Sequence, residues 1–228
     1  MLVHGLGHGS WCWTRTRDDL VGRGHDVMVV DLPLTSLEDD AAAVRQALDD
    51  WGHDSVLVGH SYAGLVISKA AADRRDLVHL IYVAAMMVDG DDIYLERLTA
   101  FPSTPIVEEV ELTDQGDLVV PPDTAVACFY NECDEREARK AANRLQPTAA
   151  ACLAVPTGTE PWRSIPSTYV RCTRDRAIHP DFQTWMSTRA GAVVTLDTDH
   201  SPFMSMPEQF AELLDGIARE AITRSTAT

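Results

Sequence analysis

One nine-residue stretch, Val56-Leu-Val-Gly-His-Ser-Tyr-Ala-Gly64, constrains this chain more than any other. Residues that suit a buried strand run into Gly59, His60 and Ser61, then into the small residues Ala63 and Gly64, which open the apolar helical run AGLVISKAA. A strand that becomes a helix over so few residues forces the residue at the apex into strained backbone geometry and lifts its side chain above the sheet. Small residues two before and two after the apex keep strand and helix from clashing, and Gly59 and Ala63 fill those places. The pattern is G-x-S-x-A followed by Gly64, with alanine where the strictest form has a second glycine. The competing account is a glycine-containing turn in which Ser61 only caps the next helix. It leaves unexplained the strand before, the helix after, and the order of the groups downstream.

Apolar runs alternate with helix-like segments along most of the chain, as in a mostly parallel sheet covered on both faces. Strands are expected at 2–3, 27–31, 55–58, 79–84, 168–172 and 192–196, and helices at 15–23, 36–51, 62–73, 180–190 and 207–223. The alternation breaks once, between about Ala85 and Ser167. That span begins acidic (DGDD) and continues through FPSTP and VVPPD. It then carries a polar helical run at 125–145 and a second short helix at 147–154. So long an insertion between neighbouring strands is more often a lid than a plain loop. Residues 1–87 and 167–228 are therefore assigned to an α/β core, and 88–166 to a small helical cap between the fourth and fifth strands. Only Met1 to Val3 precede His4, so either the sheet starts there or further residues lie upstream.

At 228 residues the chain suits one α/β domain, large enough to bury a sizeable core without disulfides or metals. Its 35 acidic residues against 19 basic ones give a formal net charge of −16. Such a field repels phosphate backbones and anionic lipid, which excludes nucleic acid and membrane surfaces as expected partners. The five cysteines, Cys12, Cys128, Cys133, Cys152 and Cys172, are odd in number and form no CxxC pair. They are expected to be reduced thiols in a cytosolic setting. The N-terminus has no basic segment leading into an apolar one, and no apolar run reaches about 18 residues, so the protein is expected to be cytoplasmic.

A serine hydroxyl is a weak nucleophile until a base takes its proton, so a histidine has to be found. Eight compete: His4, His8, His25, His53, His60, His79, His179 and His200. Behind such a strand-to-helix elbow the partners follow in the order acid, then histidine, on loops at the C-terminal edge of the sheet. His200 meets that condition in the loop DTDHSPFMSMPEQF, just past the last strand. His179 ranks behind it, at a helix start four residues after the candidate acid. For the acid, Asp175 stands in RCTRDRAIHP directly after the fifth strand, where a carboxylate can accept the imidazole Nδ1 proton and fix the tautomer. Asp89 is its rival, while Asp197 and Asp199 lie too near His200 along the chain.

Negative charge develops on the carbonyl oxygen in the transition state, and backbone N–H groups have to face it beforehand. The Tyr62 N–H, at the start of the helix after Ser61, is one expected donor. The Leu6 N–H, in the glycine loop H4-G-L-G-H-G-S-W, is the other. That loop lacks the G-K-[ST] ending of a phosphate-binding loop and the dinucleotide spacing. His4 and His8 have no third ligand nearby in sequence, so no metal is expected. Phe129, Tyr130, Trp162 and Phe203 are candidates for an apolar pocket wall, with ordinary cap packing as the alternative for each.

Four motifs in order, HGLGHGSWCW, GHSYAG, CTRDRAI with PDFQTWM after it, and DHSPFMSMPEQF, together resemble the α/β-hydrolase superfamily. In appearance they are similar to the branch of small plant methylesterases and hydroxynitrile lyases with its bacterial relatives. The resemblance implies a Ser61, His200, Asp175 triad, an oxyanion hole from Leu6 and Tyr62, and a helical cap over the pocket. It also implies a sheet without the first two strands of larger hydrolases, in keeping with the early start at Met1. The lid is short and unlike that of the plant proteins, so substrate identity does not carry over. Hydroxynitrile lyases of this branch have threonine after the first histidine and lysine just after the catalytic one. Here those places are Gly5 and Ser201, which favours ester hydrolysis. A serine at the apex also argues against epoxide hydrolases and haloalkane dehalogenases, which need a carboxylate there.

The expected function is a serine carboxylesterase acting on a small, largely apolar ester or lactone through an acyl-enzyme, with no cofactor and with a homodimer through the cap compatible with the sequence. Two alternatives stand beside it. One is a tailoring enzyme of secondary metabolism (cyclase, dehydratase or C–C cleaving) on the same triad. The other is a ligand-binding protein with an idle triad.

Overall fold

The computed structural model describes residues 1–226. In chain order the first half gives β1 (Leu2–Val3), α1 (Thr14–Gly22), β2 (Val29–Val30), α2 (Leu37–Trp51), β3 (Ser55–His60), α3 (Ala63–Ala70) and β4 (Leu77–Val83). An insertion follows with α4 (Tyr94–Leu98), α5 (Pro105–Glu109), β5 (Glu111–Leu112), β6 (Asp117–Val119), α6 (Pro122–Phe129), α7 (Glu135–Ala142) and β7 (Thr148–Ala149). The chain then returns through β8 (Ser167–Cys172), α8 (Pro180–Ser187), β9 (Ala192–Leu196), α9 (Pro202–Ser205) and α10 (Pro207–Thr226).

The main sheet has six strands in the order β2-β1-β3-β4-β8-β9, every neighbouring pair parallel. This is an α/β-hydrolase fold, with helices on both faces. One apolar layer lies under α2, α3 and α8, through Val44, Leu57, Val66, Ile67 and Phe182. The other lies under α1 and α10, through Leu20, Val58, Ile81, Val170 and Phe210. Strands buried from both sides need continuous apolar runs rather than alternation, which is what VLV and LVHLIYV supply. Because all the strands run the same way, the loops after β3, β8 and β9 leave from one edge. His60 pairs with Val83, Val83 with Val170, and Cys172 with Leu196, so the register brings those ends level.

Local signals set the helix bounds. Ser36 caps α2 by accepting the Asp39 N–H at 3.1 Å, and Gly52 ends it in the left-handed region at φ 68°. The second strand is shorter than expected, because β1 offers only Leu2 and Val3 as ladder partners. α3 stops at Ala70 and α8 at Ser187, each about one turn before the expected end.

The insertion carries helices α4 to α7, and differs from the expected elements in two places. Its polar run divides into α6 and α7, interrupted at 130–134, where Asp134 caps α7 by accepting the Arg136 and Glu137 N–H groups. The segment 147–154 is not a helix: Thr148–Ala149 is β7, followed by a 3-10 turn at Ala150–Leu153. β7 closes a small antiparallel sheet, β5-β6-β7. The β5–β6 hairpin turns at Gly116, whose φ of 87° suits glycine, with the Thr113 N–H donating to Asp117 O at 2.8 Å. The five cysteines are free thiols. Among the described residues, no helix is long and apolar enough to cross a membrane.

Candidate active site

Ser61 sits at the apex between β3 and α3 with φ 55°, in the left-handed region that a non-glycine residue enters only at a cost of about 1–3 kcal/mol. Backbone hydrogen bonds hold it there. Its N–H donates to Val83 O at 3.1 Å, and its carbonyl accepts the N–H groups of Met86 and Gly64 at 2.9 and 3.0 Å. Glycine is required on either side of this bend. A Cβ on Gly59 would lie 2.8 Å from Ala63 O, and one on Gly5 would lie 2.8 Å from Ser61 Cβ. Gly5 thereby lets the loop after β1 close against the serine.

Asp175, in the turn after β8, and His200, after β9, are both buried, and the His200 Nδ1–H donates to Asp175 Oδ2 at 2.7 Å. Asp175 is held on every side. Oδ1 accepts the N–H groups of Ala177 and Ile178 at 2.7 and 2.9 Å, and Oδ2 also accepts Gln183 Nε2 at 2.7 Å. With Nδ1 carrying the proton, Nε2 is left as the basic nitrogen of His200. Ser61 and His200 line the same cavity.

Two residues to which the sequence reading gave no role hold this pair. Gln183 is fully buried on α8, accepting the Cys172 N–H at 3.0 Å while donating to Asp175. His60 donates Nε2–H to the His200 carbonyl at 2.9 Å, its ring 4.6 Å from that of His200. Burial lowers the His60 pKa well below its ordinary value and keeps it neutral. The signal for Gln183 was an uncharged polar residue beside Phe182 on the buried face of α8.

The rival groups are engaged elsewhere. Asp89 pairs with Arg189 at 2.9 Å, and Asp197 with Arg174. Asp199 accepts the N–H groups of Glu132 and Ser201 and the Ser205 hydroxyl. His179 caps α8, accepting the Asp181 N–H. His4 and His8 use both ring nitrogens in hydrogen bonds. His4 donates to Gly5 O and accepts the Leu32 N–H, while His8 donates to Leu6 O and accepts the Tyr130 hydroxyl at 2.8 Å. Burial lowers the His8 pKa to about 3, so it stays neutral.

Leu6 lines the same cavity as Ser61, Tyr62 follows it in the chain, and among the described residues neither N–H donates to a backbone carbonyl. Tyr62 stands where a helix leaves its first N–H groups without intrahelical partners. Its hydroxyl donates to Asp40 Oδ2 at 2.7 Å, and Asp40 Oδ1 accepts the Leu34 N–H at 2.7 Å. Burial raises the Asp40 pKa.

The cavity over Ser61 encloses about 280 Å³ between the sheet edge and the insertion. Its walls are mainly aliphatic, with Leu98, Ile106, Val120 and Leu153 among them, and no Asp, Glu, Lys or Arg among the described residues lines it. Of the four aromatics considered for the wall, only Phe129 is there, its ring stacked on His200 at 5.4 Å. The other three pack elsewhere. Tyr130 stands behind His8 and holds its Nε2. Trp162 packs against Tyr82 in the core, and Phe203 fills the layer between Trp13 and His60, 4.8 Å from each ring.

An elbow serine, a buried Asp–His pair on the two following loops and a parallel sheet beneath them define an α/β hydrolase. Residues 1–213 match the Alpha/beta hydrolase family, and the chain belongs to it. It is similar to Alpha/beta hydrolase nvfD of Aspergillus novofumigatus, 30% identical over 207 residues that cover 83% of this chain and 81% of that protein. It is also similar to methylesterase 9 of Arabidopsis thaliana, 28% identical over 251 residues, covering 96% of this chain and 97% of the other. Among solved structures, a pyrethroid hydrolase from Sphingobium faniae JZ-2 superposes with a TM-score of 0.84 at 22% identity, covering 96% of each chain, a likeness of fold alone.

Proposed function

We propose that this protein is a serine hydrolase that cleaves a small, largely apolar carboxylic ester or lactone through an acyl-enzyme intermediate. The observation that carries this is the 2.7 Å Asp175–His200 hydrogen bond on the same cavity as a serine held at φ 55°. The methylesterase relative supports ester hydrolysis in general. An uncharged aliphatic cavity favours a neutral substrate, because a charge placed there would lose hydration without gaining a partner.

His200 Nε2 takes the Ser61 Oγ proton as the oxygen attacks the carbonyl carbon, and Asp175 stabilises the imidazolium that forms. The Leu6 and Tyr62 N–H groups hold the oxyanion, each such donor contributing on the order of 2.7–4 kcal/mol to lowering the barrier. His200 then returns the proton to the departing alkoxide oxygen, leaving an acyl ester on Ser61. Water attacks that ester while His200 takes its proton, and collapse releases the carboxylic acid and free serine.

The test is hydrolysis of p-nitrophenyl acetate and short alkyl esters by the wild type and Ser61→Ala, together with labelling by a serine-directed phosphonate. The wild type is expected to turn over and to label. The variant should lose about 10⁶-fold in kcat and all labelling, with unchanged circular dichroism. Near-normal turnover in Ser61→Ala refutes the assignment. Labelling of a wild type that hydrolyses no ester favours tailoring chemistry or ligand binding instead.

A further inference from the structure

The chain has five tyrosines, and all are buried. Four give their hydroxyls to the protein: Tyr62 to Asp40, Tyr82 to Ser68, Tyr130 to His8 and Tyr169 to the Ala85 carbonyl. Tyr94, the first residue of α4, is the exception. Among the described residues its hydroxyl has no hydrogen-bond partner, and it is the one tyrosine that lines the cavity with Ser61 and His200.

The ring is well fixed. It stacks on Phe182 at 5.3 Å and 26°, and Phe182 in turn stacks on Phe101 at 4.4 Å. A phenylalanine would make the same contacts and complete the hydrocarbon wall, so packing alone does not call for the oxygen. The residue is 4% exposed and lines the cavity, so what the unpartnered hydroxyl can meet is whatever acceptor enters between those mainly aliphatic walls. Burial, with the charge of Asp175 behind it, pushes the phenol above its ordinary range and keeps it a donor.

We propose that the Tyr94 hydroxyl donates a hydrogen bond to a second, neutral oxygen of the substrate, so that this site takes uncharged esters or lactones bearing a carbonyl, ether or hydroxyl oxygen besides the scissile group. This rests on Ser61 and His200 being the hydrolytic pair. A bound substrate supplies the acceptor, which orients its own chain along the aliphatic wall. Tyr94 is thus a specificity-determining residue rather than a participant in proton transfer.

The experiment compares the wild type with Tyr94→Phe in two arms. In the first, kcat/KM is measured for ethyl hexanoate and for two matched esters with an added acceptor, ethyl 3-oxohexanoate on the acyl side and 2-methoxyethyl hexanoate on the alcohol side. The preference for one acceptor-bearing ester over ethyl hexanoate is expected to fall about 10-fold in the variant, the weight of one neutral hydrogen bond. Preferences unchanged within about twofold for both esters overturn the proposal. In the second arm, tryptophan fluorescence follows binding of two inert ligands, 2-nonanone and 2,4-nonanedione. The variant is expected to weaken the diketone about 10-fold relative to the monoketone, and equal weakening overturns the proposal. A wild type that binds with this discrimination but hydrolyses nothing removes the hydrolase assignment and leaves Tyr94's role standing. Hydrolysis without discrimination does the reverse.

Discussion

Replacing Gln183 with leucine tests whether the acid of the site is positioned by more than its histidine. The amide is fully buried and makes three well-formed bonds: from Cys172 N–H at 3.0 Å, to Asp175 Oδ2 at 2.7 Å and to Ile178 O at 3.1 Å. Leucine nearly fills the same space but leaves the Cys172 N–H and the Ile178 carbonyl buried without partners, each orphan costing about 1–3 kcal/mol. A total near 3 kcal/mol corresponds, at roughly 3 °C per kcal/mol for a domain of this size, to a Tm lower by about 9 °C. Asp175 Oδ2 then keeps only His200 as a partner. Oδ1 still accepts the Ala177 and Ile178 N–H groups, so only the Oδ2 end is released to pivot, and a misplacement of about 1 Å there costs on the order of 10²-fold in kcat.

A merely structural role for Gln183 would lower stability and leave the pH profile in place, so Gln183→Glu separates the two. The introduced carboxyl stands where the amide nitrogen lies 2.7 Å from Asp175 Oδ2. Protonated, its single O–H can donate to Asp175 Oδ2 in place of the amide, leaving the Ile178 carbonyl without that bond. Ionised, it repels Asp175, and such a pair holds one proton well above the usual carboxylate range. Activity in Gln183→Glu is therefore expected to be close to the wild type at the acidic end of the working range and to collapse as pH rises. Gln183→Leu should be slow throughout. Thermal unfolding by circular dichroism and kcat from pH 5 to 9 measure both. A leucine variant within 1–2 °C and twofold of the wild type, or a glutamate variant with an unshifted profile, refutes the reasoning.

Asp175→Asn is expected to lower kcat by about 10⁴-fold, because the amide presents the wrong partner to the imidazole. Asp89→Asn, which breaks only a half-exposed pair with Arg189, should cost at most about 1 kcal/mol and leave kcat unchanged, and stopped assays on both variants decide which is the acid. The buried histidines predict acid lability. Burial lowers the His8 pKa from 6.5 to about 3, so below pH 6.5 the unfolded chain takes up a proton that the folded one refuses. Stability is full above pH 6.5 and is lost as pH falls toward 3, by about 2 kcal/mol for such a histidine between 6.5 and 5. Urea midpoints that do not change between pH 7.5 and 5 would contradict this.

What could be read from the sequence is what local chemistry dictates. The elbow follows from Gly59, Ser61 and Ala63, because only small neighbours tolerate that turn. The candidates Asp175 and His200 follow from strands that all run the same way and so deliver their loops to one edge. Gln183 was hidden because a polar residue on a helix shows its partner only once the helix has packed. For Tyr130, Trp162 and Phe203 the sequence leaves pocket wall and ordinary packing equally open, because aromatic character says that a residue is buried, not on which side of a layer. In the insertion the strands are two or three residues long, too short for a period-two pattern to register. The sequence ELTDQGDLV nevertheless carries a glycine turn between apolar residues, the mark of the hairpin found there.

That short sheet also bears on whether the insertion is a lid. Its last strand is tied to the loop that carries Leu6: the Gly7 N–H donates to Thr148 Oγ1 at 3.0 Å, and the Gln146 N–H donates to Gly7 O at 2.8 Å. The Gln146 side chain bonds the His8 carbonyl, and the Ala149 N–H bonds Leu34 O, each at 2.9 Å. A few residues further on, the Cys152 thiol faces the same Asp40 carboxylate that holds the Tyr62 hydroxyl. A cap that swung open as one body would break these ties and release the loop at Gly7 and His8. The segment 146–153 is thus better understood as part of the frame that holds the loop after β1 and the Asp40–Tyr62 pair. The side of the cavity that opens to solvent lies instead at α4 and α5, where Leu95 and Val107 line the cavity and are exposed.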